Sequence, residues 1–349
     1  KGQVKISGSK NASLPILAAT LLSDKKISLT NIPRVKDVKT MIKLLESMGS
    51  KVKVLKNKNS LIIKNDKIIK AEASYDLMST MRAGIIVLGP LLARFGKARA
   101  SIPGGCNLGF RPIDIHLEAL KKMGVKYKLV DGYINAKAKN GLVGAKIKFP
   151  KISVGATENL MIAACLAKGQ TVLSNCAIEP EIKDLSNFLC SIGAKIVWTG
   201  RRQVKIIGIK TFKQSNYKIM FDRIEAGTML VAAAVNQGNL KLTGIETDIL
   251  KTEINVLKKI GAKIIQKKNE IIIQGNKKIK NINIKTSPYP GFPTDLQSQL
   301  MVLLCKANKK STIKEDIFAN RFQSVSELKR MDAKIEVKGN QAIIEGNTI

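Results

Sequence analysis

Apolar positions along the chain follow two patterns that alternate. In the first, an amphipathic helix stops at a glycine and runs straight into a strand: Leu44-Leu45-Glu46-Ser47-Met48-Gly49-Ser50-Lys51-Val52. The same signature returns at Leu120 to Lys126, Leu189 to Ile196, Leu257 to Ile264 and Leu328 to Ile335. The pivot residues are 49, 124, 193, 261 and 332, so the steps are 75, 69, 68 and 71. Glycine suits a helix C′ position that needs positive φ. Asp332 departs from this with a residue that tolerates the region better than most.

The second pattern leads each unit. A helix rich in Ala and Leu precedes a turn and a β-rich segment. Asn11 to Leu22 leads to Ile27-Ser28-Leu29, and Glu158 to Ala167 leads to Thr171-Val172-Leu173. Ala226 to Val235 leads to Leu240-Lys241-Leu242, and Leu296 to Cys305 leads to Ser311-Thr312-Ile313. Arg82 to Ala93 supplies the remaining copy. Each unit therefore reads helix, strand, helix, strand, turn, strand. The fold class is α/β, with antiparallel pairing after each second helix, in five repeats of about seventy residues.

The repeat concentrates chemistry at one structural position. Lys10-Asn11, Arg82, Ser153-Val154-Gly155, Asp222 and Asp295 all precede or open a leading helix. Helix N-termini expose N–H groups at a positive dipole end, which suits phosphate and carboxylate ligands. Units packed around a common axis would bring these ends to one cleft; ordinary capping is the plainer role for any one of them.

Composition narrows the class. No apolar run is long enough for a transmembrane helix, and Lys1 to Ile6 lacks the apolar core of a secretory signal. Lys and Arg number 60 against 26 acidic residues, a net of +34. A basic chain can serve nucleic acid or small polyanions. Here Lys is scattered, no Arg-rich run occurs and aromatic content is 4%, so the charge reads as compositional. The five cysteines form no CxxC pair and there is one histidine, which leaves no His/Cys metal constellation and suits a reducing cytoplasm.

Pro103-Gly104-Gly105-Cys106-Asn107-Leu108-Gly109-Phe110-Arg111-Pro112 reads as a loop. Cys106 there is sterically open, with Arg111 near enough to favour the thiolate. The other four cysteines read as buried and inert, with Cys165, Cys190 and Cys305 in apolar helices. Asp295, at the start of a helix, is a cap or a general base. Asp222, Glu179 and Glu181 add carboxylates beside turns. His116 lies in a helical run and reads as structural.

Together these segments resemble the enolpyruvyl transferase family in its UDP-N-acetylglucosamine 1-carboxyvinyltransferase (MurA) branch, over essentially the whole chain. Gly8-Ser9-Lys10-Asn11-Ala12, the Cys106 loop, Phe292 to Gln297, Asp222-Arg223-Ile224-Glu225 and Glu179-Pro180-Glu181 carry the resemblance. It implies an inside-out α/β barrel fold of βαβαββ-type units in two domains with the active site between them. The first domain would be residues 10–218, with the Cys106 loop as lid. The second would be 1–9 plus 219–349, with two of three repeats present, the family's first dozen residues and most of its sixth repeat lying outside the sequence. The implied reaction moves the enolpyruvyl group of phosphoenolpyruvate to the 3-hydroxyl of UDP-N-acetylglucosamine, releasing phosphate, as the first committed step of peptidoglycan synthesis. It needs no metal or organic cofactor.

The resemblance also implies roles. Lys10 contacts the phosphoenolpyruvate phosphate and takes part in proton transfer, Asn11 contacts the sugar, and Arg82 and Arg111 hold anionic groups. Cys106 adds to phosphoenolpyruvate and is the target of fosfomycin; Asp295 takes the hydroxyl proton. Arg111, Pro112, Ile113, Asp114 and Ile115 line the uracil and diphosphate pocket. Ser153, Val154 and Gly155 meet the diphosphate, and Ile317 the nucleotide end. Glu179, Asp222 and Arg321 follow from motif position alone. A cytoplasmic monomer that binds neither nucleic acid nor membrane is implied. The rival readings are a same-fold transferase with another acceptor such as shikimate phosphate, an inactive UDP-sugar-binding homologue, and a nucleic-acid-binding protein.

Overall fold

The computed structural model describes residues 1–55, 59–68, 70–102 and 113–347. In chain order the elements are β1 (Gly2–Lys5), α1 (Lys10–Ala19), β2 (Ile27–Thr30), α2 (Lys36–Ser47), β3 (Lys51–Leu55) and β4 (Ser60–Lys64). Then come β5 (Glu72–Ala73), α3 (Tyr75–Met78), α4 (Leu88–Phe95), β6 (Lys97–Ser101), α5 (Asp114–Lys122), β7 (Lys126–Val130) and β8 (Tyr133–Lys137). The third repeat has β9 (Lys146–Lys148), α6 (Val154–Ala164), β10 (Gln170–Ser174), α7 (Pro180–Ser191), β11 (Lys195–Gly200) and β12 (Gln203–Ile207). After β13 (Ser215–Lys218) follow α8 (Arg223–Val235), β14 (Asn239–Thr243), α9 (Lys251–Ile260), β15 (Lys263–Lys267) and β16 (Glu270–Gln274). The last repeat has β17 (Asn283–Lys285), α10 (Gln297–Cys305), β18 (Ser311–Lys314), α11 (Ser324–Arg330), β19 (Ile335–Lys338) and β20 (Gln341–Ile344).

The described residues divide into two compact units, one from residues 8–102 and 113–220 and one from residues 1–7 and 221–347. The larger holds the sheets β13-β2-β4-β3, β5-β6-β8-β7 and β9-β10-β12-β11. The smaller holds β1-β14-β16-β15 and β17-β18-β20-β19. Among the described residues no sheet closes on itself. In each sheet the first pair is parallel and the rest antiparallel. The parallel edge strands are two to four residues long, so periodicity does not reveal them. The first strand of the chain pairs with β14, and β13 returns to pair with β2.

Helices fill the interior of each unit and sheets face outward. The leading helices α1 and α6 are buried over nearly their whole length, and α6 packs against α4, α5 and α7. In the smaller unit α8 packs against α10. The second helix of each repeat ends as its sequence requires. Gly49, Gly124, Gly193, Gly261 and Asp332 all have positive φ, from 65° to 113°. One residue further on, each repeat closes the same bond: Ser50, Val125, Ala194, Ala262 and Ala333 donate to Leu45, Leu120, Leu189, Leu257 and Leu328. This is the capping geometry that satisfies a helix's last carbonyls.

One expectation fails. Cys165, Cys176 and Cys305 are buried, but Cys190 is exposed. Leu185, Phe188, Leu189 and Ile192 form the inward stripe of α7, and position 190 falls outside it.

Candidate functional site

In the larger unit the leading helices present their N-termini with the expected residues. Ser9 caps α1, its hydroxyl accepting from Ala12 N at 3.2 Å, which sets Lys10 and Asn11 in the first turn. Lys10 Nζ lies 3.5 Å from Asp37 Oδ2, and both side chains are substantially exposed. Such an exposed pair contributes about 0–1 kcal/mol. Ser153 caps α6, accepting from Ala156 N at 3.3 Å. Asp114 opens α5, and its Oδ1 accepts from Ile115 N at 2.8 Å.

Arg82 begins a 3-10 segment, Arg82–Val87, which turns into α4. Arg82 and Asp114 both act electrostatically on His116, and Gly155 lies against the same ring. Arg82, Asp114 and Gly155 thus gather around one histidine. Burial is the main cause that pushes His116 down to about 4; the charge of Arg82 adds to it and Asp114 opposes it. The ring is therefore uncharged at neutral pH. His116 is structural, as its sequence context suggests, and it is also in contact with candidate binding residues.

Glu179 precedes Pro180 at the start of α7. It acts, with Glu181, on Glu158, which is fully buried within α6. Burial first, then these two carboxylates, push Glu158 well above the ordinary glutamate range. All three causes favour its uncharged form.

In the smaller unit Asp222 is a true cap. Its Oδ1 accepts from Ile224 N at 2.9 Å and Glu225 N at 3.0 Å. Glu225 in turn accepts from Ser7 N at 3.0 Å and from the Ser7 hydroxyl. Asp295 lies in the 3-10 turn Thr294–Leu296 and makes no capping bond. Instead its Oδ1 accepts from Arg321 Nη2 at 2.9 Å, and its other oxygen has no partner among the described residues. That leaves one carboxylate oxygen oriented yet open, as a proton acceptor requires.

The sequence gives no signal for two further residues. Glu315, 3% exposed, sits in a lysine-rich segment that reads as a solvated face. Its Oε2 accepts from Thr294 Oγ1 at 2.8 Å; its Oε1 accepts from Ile317 N at 2.8 Å and Phe318 N at 3.1 Å. It ties the turn bearing Asp295 to the loop bearing Ile317. Asn159, in the middle of α6, is the second. Cys106, Arg111 and Pro112 lie outside the described residues, and Ile113 caps α5. Among the described residues no helix is long and apolar enough to cross a membrane.

The model of the family EPSP synthase (3-phosphoshikimate 1-carboxyvinyltransferase) matches residues 1–349. A UDP-N-acetylglucosamine 1-carboxyvinyltransferase of Pelagibacter ubique is 69% identical over 347 residues, covering 99% of this chain and 83% of that protein. The enzyme of the same name from Geotalea uraniireducens is 48% identical, covering 99% and 82%. Among solved structures, the enolpyruvyl transferase NikO from Streptomyces tendae has a TM-score of 0.90 at 20% identity, covering 99% of this chain and 82% of that one. EPSP synthase from Acinetobacter baumannii has a TM-score of 0.75 at 17% identity, covering 100% and 82%. The repeated α/β units are those of this fold. The chain belongs to the EPSP synthase family of enolpyruvyl transferases, alongside relatives named UDP-N-acetylglucosamine 1-carboxyvinyltransferase.

Proposed function

We propose that this chain transfers the enolpyruvyl group of phosphoenolpyruvate to the 3-hydroxyl of UDP-N-acetylglucosamine, with release of phosphate. The observation that carries this reading is the 69% identity over 99% of the chain to a relative named for that activity.

Lys10 and Arg82 hold the phosphate and carboxylate of phosphoenolpyruvate, Lys10 as a point charge and Arg82 through its planar fork. Arg111 adds charge from the Cys106 loop. Asn11 contacts the sugar. The open oxygen of Asp295 takes the proton of the sugar's 3-hydroxyl as the sugar's 3-oxygen bonds to C2 of phosphoenolpyruvate, while C3 gains a proton. The tetrahedral adduct then loses phosphate from C2 and a proton from C3, which restores the double bond. Arg321 orients Asp295. Ser153, Val154 and Gly155 cradle the diphosphate at the α6 N-terminus. Pro112, Ile113, Asp114, Ile115 and Ile317 surround the nucleotide. Glu179 and Asp222 support the helix starts from which these residues project.

Cys106 is the thiol that fosfomycin alkylates; it can also add to C2 of phosphoenolpyruvate as C3 takes a proton, and is expelled as thiolate, with loss of that proton, before the sugar oxygen attacks. Residues 10–218 and the remainder act as two domains that close on the substrates, in a cytoplasmic monomer. The product feeds peptidoglycan synthesis, and through it cell shape and division. The deciding experiment is phosphate release from phosphoenolpyruvate with UDP-N-acetylglucosamine, with shikimate 3-phosphate, and with neither. Release that depends on the nucleotide sugar is expected; release with shikimate 3-phosphate alone overturns the reading.

A further inference from the structure

Asn159 is wholly buried in an otherwise apolar stretch of α6. Its Oδ1 accepts from Gly89 N at 2.7 Å and its Nδ2 donates to Ile85 O at 3.3 Å. Ile85 O and Gly89 N would bond to each other in an α-helix. The amide has entered that ladder between them, where the 3-10 segment beginning at Arg82 gives way to α4. A Cβ on Gly89 would collide with Asn159, so the insertion requires glycine there.

The two backbone groups settle which way the amide points, because an N–H only donates and a C=O only accepts. Nδ2 therefore also faces His116 Nδ1, at 3.0 Å. An amide nitrogen cannot accept, so Nδ1 is the acceptor and the ring proton sits on Nε2. That edge abuts the start of α6. A Cβ on Gly155 would lie 3.3 Å from Cε1 and 3.4 Å from Nε2. His116 is 6% exposed, and its Nε2 has no hydrogen-bond partner among the described residues.

We propose that Asn159 is a positioning residue: it locks His116 as the Nε2–H tautomer, so the ring adds one donor to the N–H groups at the α6 N-terminus for an anionic diphosphate. The identity of the ligand rests on the proposed function; the tautomer does not. Burial and the Arg82 charge keep the ring uncharged, so it recognises phosphate oxygen by direction rather than by charge. The same amide sets where the Arg82 segment ends, so one side chain couples two candidate anion-binding elements.

The chain has one histidine, so a ¹⁵N spectrum reads this ring alone. At pH 7 the full chain should show a protonated Nε2 and a bare Nδ1; the reverse tautomer, or an even mixture, overturns the proposal. Asn159→Asp keeps an acceptor for Gly89 but loses the donor, and should move the ring proton to Nδ1. Its Kd for UDP-N-acetylglucosamine should rise about tenfold, with kcat at saturation within about threefold. His116→Phe should weaken binding similarly. His116→Gln, whose amide reaches near the Nε2 position, should restore it. Equal affinity of His116→Phe and the parent chain overturns the proposal.

Should Asn159→Asp fail to fold, titration of the parent chain decides. The Nε2–H resonance should shift with inorganic pyrophosphate, UDP and UDP-N-acetylglucosamine. Shifts with the first two alone overturn the proposed acceptor and leave the histidine assignment standing. Binding of the nucleotide sugar without an Nε2 shift does the opposite. Binding of none overturns both.

Discussion

Arg321 Nη2 donates to Asp295 Oδ1 across 2.9 Å, joining two 3-10 turns that are 26 residues apart. The guanidinium is 16% exposed and the carboxylate 39%, so the anchor is the more buried partner and the carboxylate the more accessible one. Asp295→Asn keeps the shape and removes the base. It should lower kcat by about 10²–10⁴-fold in the phosphate-release assay. Arg321→Gln should cost less, and the double variant should lose far less than the product of the two. Full activity in Asp295→Asn would end this assignment.

His116 makes stability depend on pH. Its folded pKa is about 4 against an ordinary 6.5, so between those values the unfolded chain binds more protons. The stabilisation is complete above about pH 6.5 and is lost as pH falls towards 4, on the order of 3 kcal/mol in all. Urea unfolding at pH 7 and pH 4.5 should show a steeper loss for the parent chain than for His116→Gln.

Glu158 acts in the opposite direction. Its folded pKa is raised, so above about pH 4.5 the unfolded chain ionises first and stability declines as pH rises. Glu158→Gln removes this term. The variant should gain in melting temperature relative to the parent, and gain more at pH 8 than at pH 5. An equal difference at both values would mean that Glu158 is already ionised in the fold.

Asp332 holds φ of 65° where the other four repeats use glycine. Asp332→Gly should stabilise by about 0.5–1 kcal/mol, read as a higher urea midpoint with an unchanged m-value. Gly261→Asp should destabilise, because its φ of 113° lies further from what a side chain tolerates.

Alkylation should separate the thiols. Burial pushes the Cys165 thiol up, and pushes Cys176 up to about 12, so neither supplies thiolate at neutral pH. Fosfomycin should add one adduct by intact mass, and peptide mapping should place it on Cys106. Cys190, exposed on α7, is the internal control for unselective reaction.

The five-fold repeat was legible because its glycines enforce a backbone conformation that leaves a mark at fixed spacing. The leading edge strands were not, because two to four residues with one exposed face carry no period. The placement of Lys10, Arg82, Ser153, Asp222 and Asp295 at helix starts was legible too, since capping chemistry is local. Whether each is a cap or a ligand group was not. Asp222 is a cap, while Asp295 turns away to Arg321, a partner that no sequence window contains. Glu315 and Asn159 escaped for the same reason: Thr294 lies 21 residues from Glu315, and Gly89 and Ile85 lie 70 and 74 from Asn159, so only the fold brings them together. Cys190 was misread because a helix's apolar content does not say which of its positions face inward.

The two exchanged strands bear on how the chain is made. Among the described residues, each strand of the larger unit finds its sheet neighbours within that unit, since β13 completes the sheet begun by β2. That unit can finish folding while the rest is still on the ribosome. The first strand cannot. Gly2 pairs with Leu240, so β1 emerges about 240 residues ahead of β14, its one sheet neighbour among the described residues, a bare edge that must be kept out of trouble until β14 arrives.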